Sequence, residues 1–138
     1  MIDVVNILDE PRRLFFKLED AKDKLEQLRA DECANGAIRY DKDKVVSSPS
    51  ADMLFNKVAP IIELEADINE LRQQFNVARE DARSLIGLID NDIARQVCMK
   101  YYCDCKSISE IGYEMMYSRN QIYYRRNIGI AIINKIVN

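Results

Sequence analysis

The sequence contains no histidine, and its 138 residues include only three prolines and four glycines. Without histidine, the chain lacks the side chain most used for acid–base catalysis near neutral pH and a common zinc ligand. The few prolines and glycines favour long helices over a many-turned β-fold. A glycine-rich phosphate loop is missing, and no serine or cysteine stands beside a candidate base. We therefore predict that the protein is not an enzyme.

Long apolar runs are also missing, and none approaches the length needed to span a bilayer. The first residues lack the basic segment followed by an apolar segment that a signal peptide would have. Apolar residues make up 48% of the chain and charged residues 31%, a composition that supports a folded core. We expect a soluble, intracellular protein with no membrane partner.

The chain has four cysteines: Cys33, Cys98, Cys103 and Cys105. Their spacing differs from the two C-x-x-C pairs that make a strong zinc signal, and no histidine is present to complete a site. We predict reduced thiols, with Cys98 in a core and the next two near a turn, and neither a metal nor another cofactor.

Apolar residues at three- and four-residue steps predict two long helices in the first part of the chain. Asn35-Gly36 is expected to end a helix of about 11–33, Pro11 to break or kink what precedes it, and Ser50 to cap the next helix. That helix extends to about residue 88, with Pro60 as a kink or restart, and residues of about 36–50 form a loop. The two helices predict an antiparallel coiled-coil hairpin over 1–88, thin enough to favour a homodimer through its helices. The apolar positions are Leu14, Leu18, Ala21, Leu25 and Leu28 in the first helix and Ile61, Leu64, Ile68, Leu71 and Phe75 in the second.

Three shorter helices are predicted in residues 89–138. Asp90 caps a helix of about 91–102, whose inward-facing residues are predicted to be Ile93, Val97, Cys98 and Tyr101. Cys103 to Lys106 form a turn, and Ser107 caps the next helix with Glu110 in a capping box. Ile108, Ile111 and Met115 would form its buried stripe, and Ser118 caps the last helix. The fold class is therefore all-α, with an N-terminal antiparallel coiled-coil hairpin followed by a C-terminal helix-turn-helix bundle.

The last helix begins with polar side chains suited to DNA. Arginine, asparagine and glutamine match the donors and acceptors of base edges in the major groove, where the first turns of a recognition helix lie. Base contacts are predicted for Arg119, Asn120, Gln121, Tyr123 and Tyr124. Phosphate contacts are predicted for Lys106, Ser107, Ser118, Arg125 and Arg126.

Charge is distributed unevenly along the chain. The net charge is −3, but residues 93–138 contain seven Lys or Arg and three Asp or Glu, which leaves +4 there and −7 in the rest. The basic part therefore coincides with the predicted helix-turn-helix, as phosphate contact requires.

The segment from Ser107 to Arg126 resembles the helix-turn-helix of sigma-70 region 4. The positions that carry the resemblance are Ser107, Glu110, Ile111, Met115, Ser118 and Ile122. The run Tyr123-Tyr124-Arg125 is similar to that of ArpU-type short regulators of phages and prophages. Gly112 and Gly129 stand where alanine is usual, and both should weaken helices, while Met116 replaces the usual turn glycine.

The resemblance implies a sequence-specific transcriptional regulator that binds double-stranded DNA in the cytoplasm of a bacterial host cell, with RNA polymerase as a further partner. A protein-interaction adaptor that acts through the coiled coil and a small DNA-packaging subunit of a phage are the alternatives.

An exposed acidic face on the first helix is a solvated surface in the simplest interpretation.

Overall fold

The computed structural model describes residues 1–42 and 51–138, and it describes side chains for residues 1–31 and 58–138. Every regular element in these residues is helical, which confirms the all-α class with a helical hairpin and a C-terminal helical bundle. No helix in this part of the chain is both long enough and apolar enough to cross a membrane. The helices are α1 (Val4–Lys42), α2 (Ala51–Ile86), α3 (Asp92–Cys98), a π-helical segment (Met99–Cys103), α4 (Ile108–Met115) and α5 (Arg119–Val137).

The described chain forms two compact units, one of residues 17–72 and one of residues 1–16 with 73–138. In the first unit, α1 and α2 pack through the predicted stripes, and Leu18, Ala21 and Ile68 form a buried cluster between them. Arg29 on α1 bonds to Glu65 on α2 at 2.5 Å. Removal of these apolar side chains from water is the main force that holds such a hairpin together.

In the second unit, the start of α1 and the end of α2 share a core with α3, the π-helical segment and α5. The largest buried side chains of this core come from all of these elements. They include Leu8, Ile86, Ile89, Tyr102 and Ile133. The proposed division into domains 1–88 and 89–138 stays a prediction, but residues 4–8 and 82–86 pack with the C-terminal helices.

Two predicted ends of the first helix are wrong. Helix α1 continues through Pro11, which is buried, although proline removes a helical hydrogen bond at a cost of about 3 kcal/mol. It also continues past Asn35-Gly36 to Lys42. A glycine inside a helix costs only about 1 kcal/mol relative to alanine, so Gly36 weakens the helix without ending it.

Part of the loop predicted for residues of about 36–50 is therefore helical. Residues 36–42 are helical instead of a loop, while residues 43–50 and the predicted cap Ser50 lie outside the described residues. Helix α2 begins at Ala51, as predicted, and runs through Pro60 to Ile86, two residues before the predicted end.

The helix predicted for residues 91–102 has a different cap and a different course. Asn91, not Asp90, caps α3, because its side-chain oxygen accepts a hydrogen bond of 3.1 Å from the backbone N–H of Ala94. Helix α3 ends at Cys98, and the π-helical segment follows. A π-helical turn contains an extra residue and shifts the phase of the side chains, so Tyr102 is buried and Tyr101, which was predicted to face inward, is half-buried.

Candidate DNA-binding surface

Helices α4 and α5 form a helix-turn-helix whose two N-termini are capped by the predicted serines. Ser107 Oγ accepts a hydrogen bond of 3.1 Å from Glu110 N, and Ser118 Oγ accepts one of 3.3 Å from Gln121 N. The full capping box lies at Ser118, where the Gln121 carbonyl oxygen also accepts from Ser118 N at 2.9 Å. The box predicted at Ser107 is incomplete, because the Glu110 carboxylate accepts from the Ser107 hydroxyl instead of its backbone N–H.

The turn between the two helices depends on Met116 and Gly112. Met116 ends α4 in the left-handed conformation, with φ of 60° and ψ of 41°, which glycine adopts more readily than other residues. A Cβ at residue 112 would lie 2.8 Å from the carbonyl oxygen of Tyr117. Gly112 therefore allows the turn to pack closely against α4. The low helix propensity of glycine alone does not indicate this packing role.

The two helices enclose a small core of their own. Ile108 and Ile111 are buried in it, as predicted, together with Ile122 of α5 and Val97 of α3. Met115 is half-buried and packs against this cluster. Helix α5 is thus fixed along one side, and its opposite side faces solvent.

Helix α5 also approaches α3 closely at Gly129. A Cβ at this position would lie 2.5 Å from Cys98 Sγ and 3.1 Å from Ile89 Cδ1. The Cys98 thiol points towards the carbonyl oxygen of Arg126, at 3.8 Å. Gly129 and Ile133 are buried on the stripe that Ile122 begins, so this stripe sets which side chains of α5 are exposed.

The predicted base-contacting residues lie in the first two turns of α5 and are exposed. Arg119, Asn120 and Gln121 form its first turn, and Tyr123 and Tyr124 are 39% and 62% exposed. On a helix of 3.6 residues per turn, Asn120 and Tyr124 lie opposite the buried stripe. Gln121 is less available than predicted, because its side-chain oxygen is used by the capping box.

Asn127 belongs to the same face and was missing from the predicted site. It is exposed and lies three residues after Tyr124 and seven after Asn120. This spacing was the available signal, because positions i, i+4 and i+7 share one helix face. The exposed face of α5 therefore presents two amides and a tyrosine in a line.

Lys106 and Ser107, two predicted phosphate contacts, already have partners inside the protein. Lys106 Nζ lies 2.6 Å from a Glu114 oxygen, and Lys100 Nζ lies 2.8 Å from the other. The hydrogen bond to Glu114 raises the pKa of Lys106, and the bonds from both lysines lower the pKa of Glu114. Ser107 Oγ bonds to Glu110.

The arginines of α5 have a different environment. The Arg125 guanidinium carbon lies 5.9 Å from the ring centre of Tyr124, and that of Arg126 lies 5.0 Å and 5.2 Å from those of Tyr101 and Tyr123. Among the described residues, no carboxylate forms an ion pair with either arginine. Helix α5 contains four basic side chains and no Asp or Glu, so its positive charge is not neutralised along the helix.

The cysteines of this unit are packing residues in the structure. Cys98, Cys103 and Cys105 are free and buried, and burial raises the pKa of Cys98 to about 12 and that of Cys105 to about 11. Burial also raises the pKa of Cys103. Within the described parts of the chain, no three histidine, cysteine, aspartate or glutamate side chains are grouped to hold a metal ion.

In comparisons with known proteins, no family model, no curated protein and no solved structure matches this chain.

Proposed function

We propose that this protein is a sequence-specific transcriptional regulator that places the first turns of α5 in the major groove of double-stranded DNA. The observation that carries the proposal is the solvent-facing side of α5, where Asn120, Tyr124 and Asn127 are aligned on a helix without acidic residues. Asparagine can bond to adenine through two hydrogen bonds, and a tyrosine can contact a thymine methyl or a phosphate. The capped N-terminus at Ser118 holds these side chains in a defined position.

The roles within the proposed site follow from exposure and spacing. Asn120, Asn127 and Arg119 contact base edges, and Tyr123 and Tyr124 contact bases or phosphates. Arg125 and Arg126 neutralise phosphates. Ser118 orients α5, while Lys106 and Ser107 reach phosphates only when Glu114 and Glu110 release them.

A homodimer formed through the helices of the hairpin is part of the proposal. Ile62, on α2 in the hairpin unit, is 58% exposed, and Phe16 and Val77, on the parts of α1 and α2 that belong to the other unit, are 50% and 63% exposed. A symmetric dimer would place two copies of α5 on two half-sites, which multiplies a modest affinity for each. Sedimentation equilibrium of the protein alone should therefore show twice the 16.0 kDa of the chain.

A protein-interaction adaptor is the second candidate, with RNA polymerase as one partner. Tyr113 on α4 and Met116 in the turn are 88% and 90% exposed, and no described residue covers them. Exposed side chains of this size are typical of protein contact surfaces. An adaptor would use this surface, and it would bind its partner equally well after substitutions on α5.

The test is a selection of bound sequences from a pool of random duplex DNA, followed by titration of the selected duplex and a scrambled one at two salt concentrations. The wild type should prefer the selected duplex. Asn120→Ala and Asn127→Ala should each reduce the preference by roughly 1–3 kcal/mol, the range for a lost pair of base contacts. Asn76→Ala, which changes an exposed asparagine on α2, is the matched control.

Two outcomes would contradict the proposal. Absence of binding to any duplex at low salt would leave the adaptor as the better candidate. Binding without sequence preference, unchanged in both variants of α5, would show that the protein contacts only the DNA backbone.

A further inference from the structure

Two arginines from different parts of the chain lie over the ring of Tyr101. The guanidinium carbon of Arg12, on α1, is 3.9 Å from the ring centre, and that of Arg126, on α5, is 5.0 Å away. Arg126 is also 5.2 Å from the ring centre of Tyr123. All four side chains belong to the same compact unit, so the stack connects the start of α1 with the exposed face of α5.

Among the residues that the structure describes, no carboxylate pairs with the positive charge of this stack. Arg13, Arg79, Arg83 and Arg95 of the same unit each form an ion pair with a carboxylate. Within the described residues, neither Arg12 nor Arg126 has such a partner, and Arg12 instead donates two hydrogen bonds of 2.9 Å to the carbonyl oxygens of Tyr101 and Lys106. The buried Nε of Arg126 has no acceptor. Two nearby positive charges repel each other, and an anion bound beside them would remove this repulsion.

Arg119 extends the stack along α5. Arg119, Tyr123 and Arg126 are separated by four and three residues, so they share one flank of the helix, beside the face of Asn120 and Asn127. Arginine and tyrosine therefore alternate from the N-terminus of α5 across Tyr101 to α1. The order along this cation–aromatic surface is Arg119, Tyr123, Arg126, Tyr101 and Arg12.

We propose that the cation–aromatic surface binds the phosphodiester backbone of double-stranded DNA. This proposal rests on the proposed function. It adds α1 to the DNA-contacting elements through Arg12, which no sequence pattern indicated. A guanidinium held beside a ring has N–H groups in a planar fork that suits two phosphate oxygens. Arg12 and Arg126 both lie over the ring of Tyr101, so a base stacked there would compete with two cations, and this favours a duplex backbone over an unpaired strand.

The experiment is a titration of a random-sequence duplex at several salt concentrations with the full-length protein. Each phosphate contact contributes about 0.9 to the slope of log affinity against log salt. Arg12→Met and Arg126→Met should each lower the slope by about that amount. When the salt concentration rises from roughly 50 to 200 mM, the affinity of each variant should therefore fall by a factor about 3.5 times smaller than the factor for the wild type. Arg12→Lys and Arg126→Lys keep the charge and should keep most of the slope.

Arg13→Met is the matched control, because Arg13 is adjacent to Arg12 but is paired with Glu10 and Asn6. It should leave the slope unchanged. A loss of affinity in Arg12→Met and Arg126→Met at an unchanged slope would overturn the proposal and assign both residues a positioning role. Circular dichroism checks that each variant is folded, and Arg12→Gln and Arg126→Gln, which also remove the charge and should lower the slope by the same amount, carry the test if a methionine variant unfolds.

The two proposals fail in different ways. If the wild type binds no duplex, the proposed function is wrong. If the wild type binds and Asn120→Ala relaxes its sequence preference, while both methionine variants keep the wild-type slope, only the cation–aromatic surface is wrong.

Discussion

Replacement of Gly129 by alanine tests the close approach of α5 to α3. Gly129 is buried in the middle of α5, and the added Cβ would lie 2.5 Å from Cys98 Sγ and 3.1 Å from Ile89 Cδ1. These distances are shorter than ordinary van der Waals contacts, and Cys98 is itself fully buried. The methyl group therefore has to displace α5 or the side chains beneath it.

The expected magnitude is the difference of two effects. Alanine is favoured over glycine inside a helix by about 1 kcal/mol. Overpacking of a filled core costs roughly 1–3 kcal/mol. We expect Gly129→Ala to lower the free energy of unfolding by about 1 kcal/mol, opposite in sign to the effect of helix propensity alone.

A double-mutant cycle with Cys98→Ala isolates the clash. Removal of the buried Sγ alone should cost about 1 kcal/mol, since it leaves a small cavity. In the double variant the new methyl group occupies part of that cavity, and the gain in helix propensity is recovered. The two substitutions should therefore show a favourable coupling of about 1 kcal/mol or more, as expected for residues in contact.

The measurement is urea unfolding followed by circular dichroism, with the four proteins of the cycle under identical conditions. Gly87→Ala is the control, because a Cβ there meets only backbone oxygens at 3.4 and 3.5 Å and Gly87 is exposed. The reasoning is refuted if Gly129→Ala is more stable than the wild type by about 1 kcal/mol, the gain expected from helix propensity alone. Additive effects of Gly129→Ala and Cys98→Ala would refute it as well.

Four further predictions concern the helix-turn-helix and its core. Met116→Gly should raise the free energy of unfolding by about 1 kcal/mol, because the left-handed conformation is strained for methionine and the exposed side chain loses no packing; urea unfolding measures it. Ser118→Ala should lower the same free energy by about 1 kcal/mol through loss of the cap, measured in the same way. Glu114→Gln frees two lysines, so binding to random duplex DNA should become tighter and steeper in salt dependence, measured by fluorescence anisotropy. Burial raises the pKa of Cys98 to about 12, whereas the same thiol in the unfolded chain ionises above about pH 9. The free energy of unfolding should therefore fall as pH rises through this window, and unfolding at a series of pH values measures it.

The parts of the fold that the sequence predicted depend on local rules. Ser107 and Ser118 were identified as caps because the side-chain oxygen of a serine before a helix can accept a hydrogen bond from the backbone N–H two or three residues ahead. The buried stripe of Ile108 and Ile111, with Met115 half-buried beside it, follows from helical spacing within α4. Such features need no knowledge of distant residues, so a single sequence contains enough information for them.

The parts that differ depend on packing between distant residues. Pro11 was expected to end or kink a helix, yet it is buried in α1, and its carbonyl oxygen lies 4.0 Å from the thiol of Cys105, which is 94 residues away. In the π-helical segment, Tyr102 lies in the core in place of Tyr101, and this depends on contacts that no local propensity predicts. Favourable burial of this kind outweighs local costs of a few kcal/mol.

The candidate site shows the same division. The polar first turn of α5 was visible in the sequence, and Asn127 follows from its periodicity. The stack of Arg12 on Tyr101 joins residues 89 positions apart, and Lys106 is engaged by a glutamate eight residues later. Which cations are neutralised and which are available to phosphate therefore depends on the folded structure.

The acidic net charge of −3 does not argue against DNA binding once charge is followed to individual residues. Interactions between exposed charges are largely screened beyond about 8 Å at physiological ionic strength, so the groups beside the binding surface decide its potential. No Asp or Glu occurs between Met115 and Asn138, whereas Glu114, just before this segment, holds two lysines. A positive surface along α5 can therefore coexist with an acidic chain, and the salt dependence of binding should follow the arginines near α5 instead of the net charge.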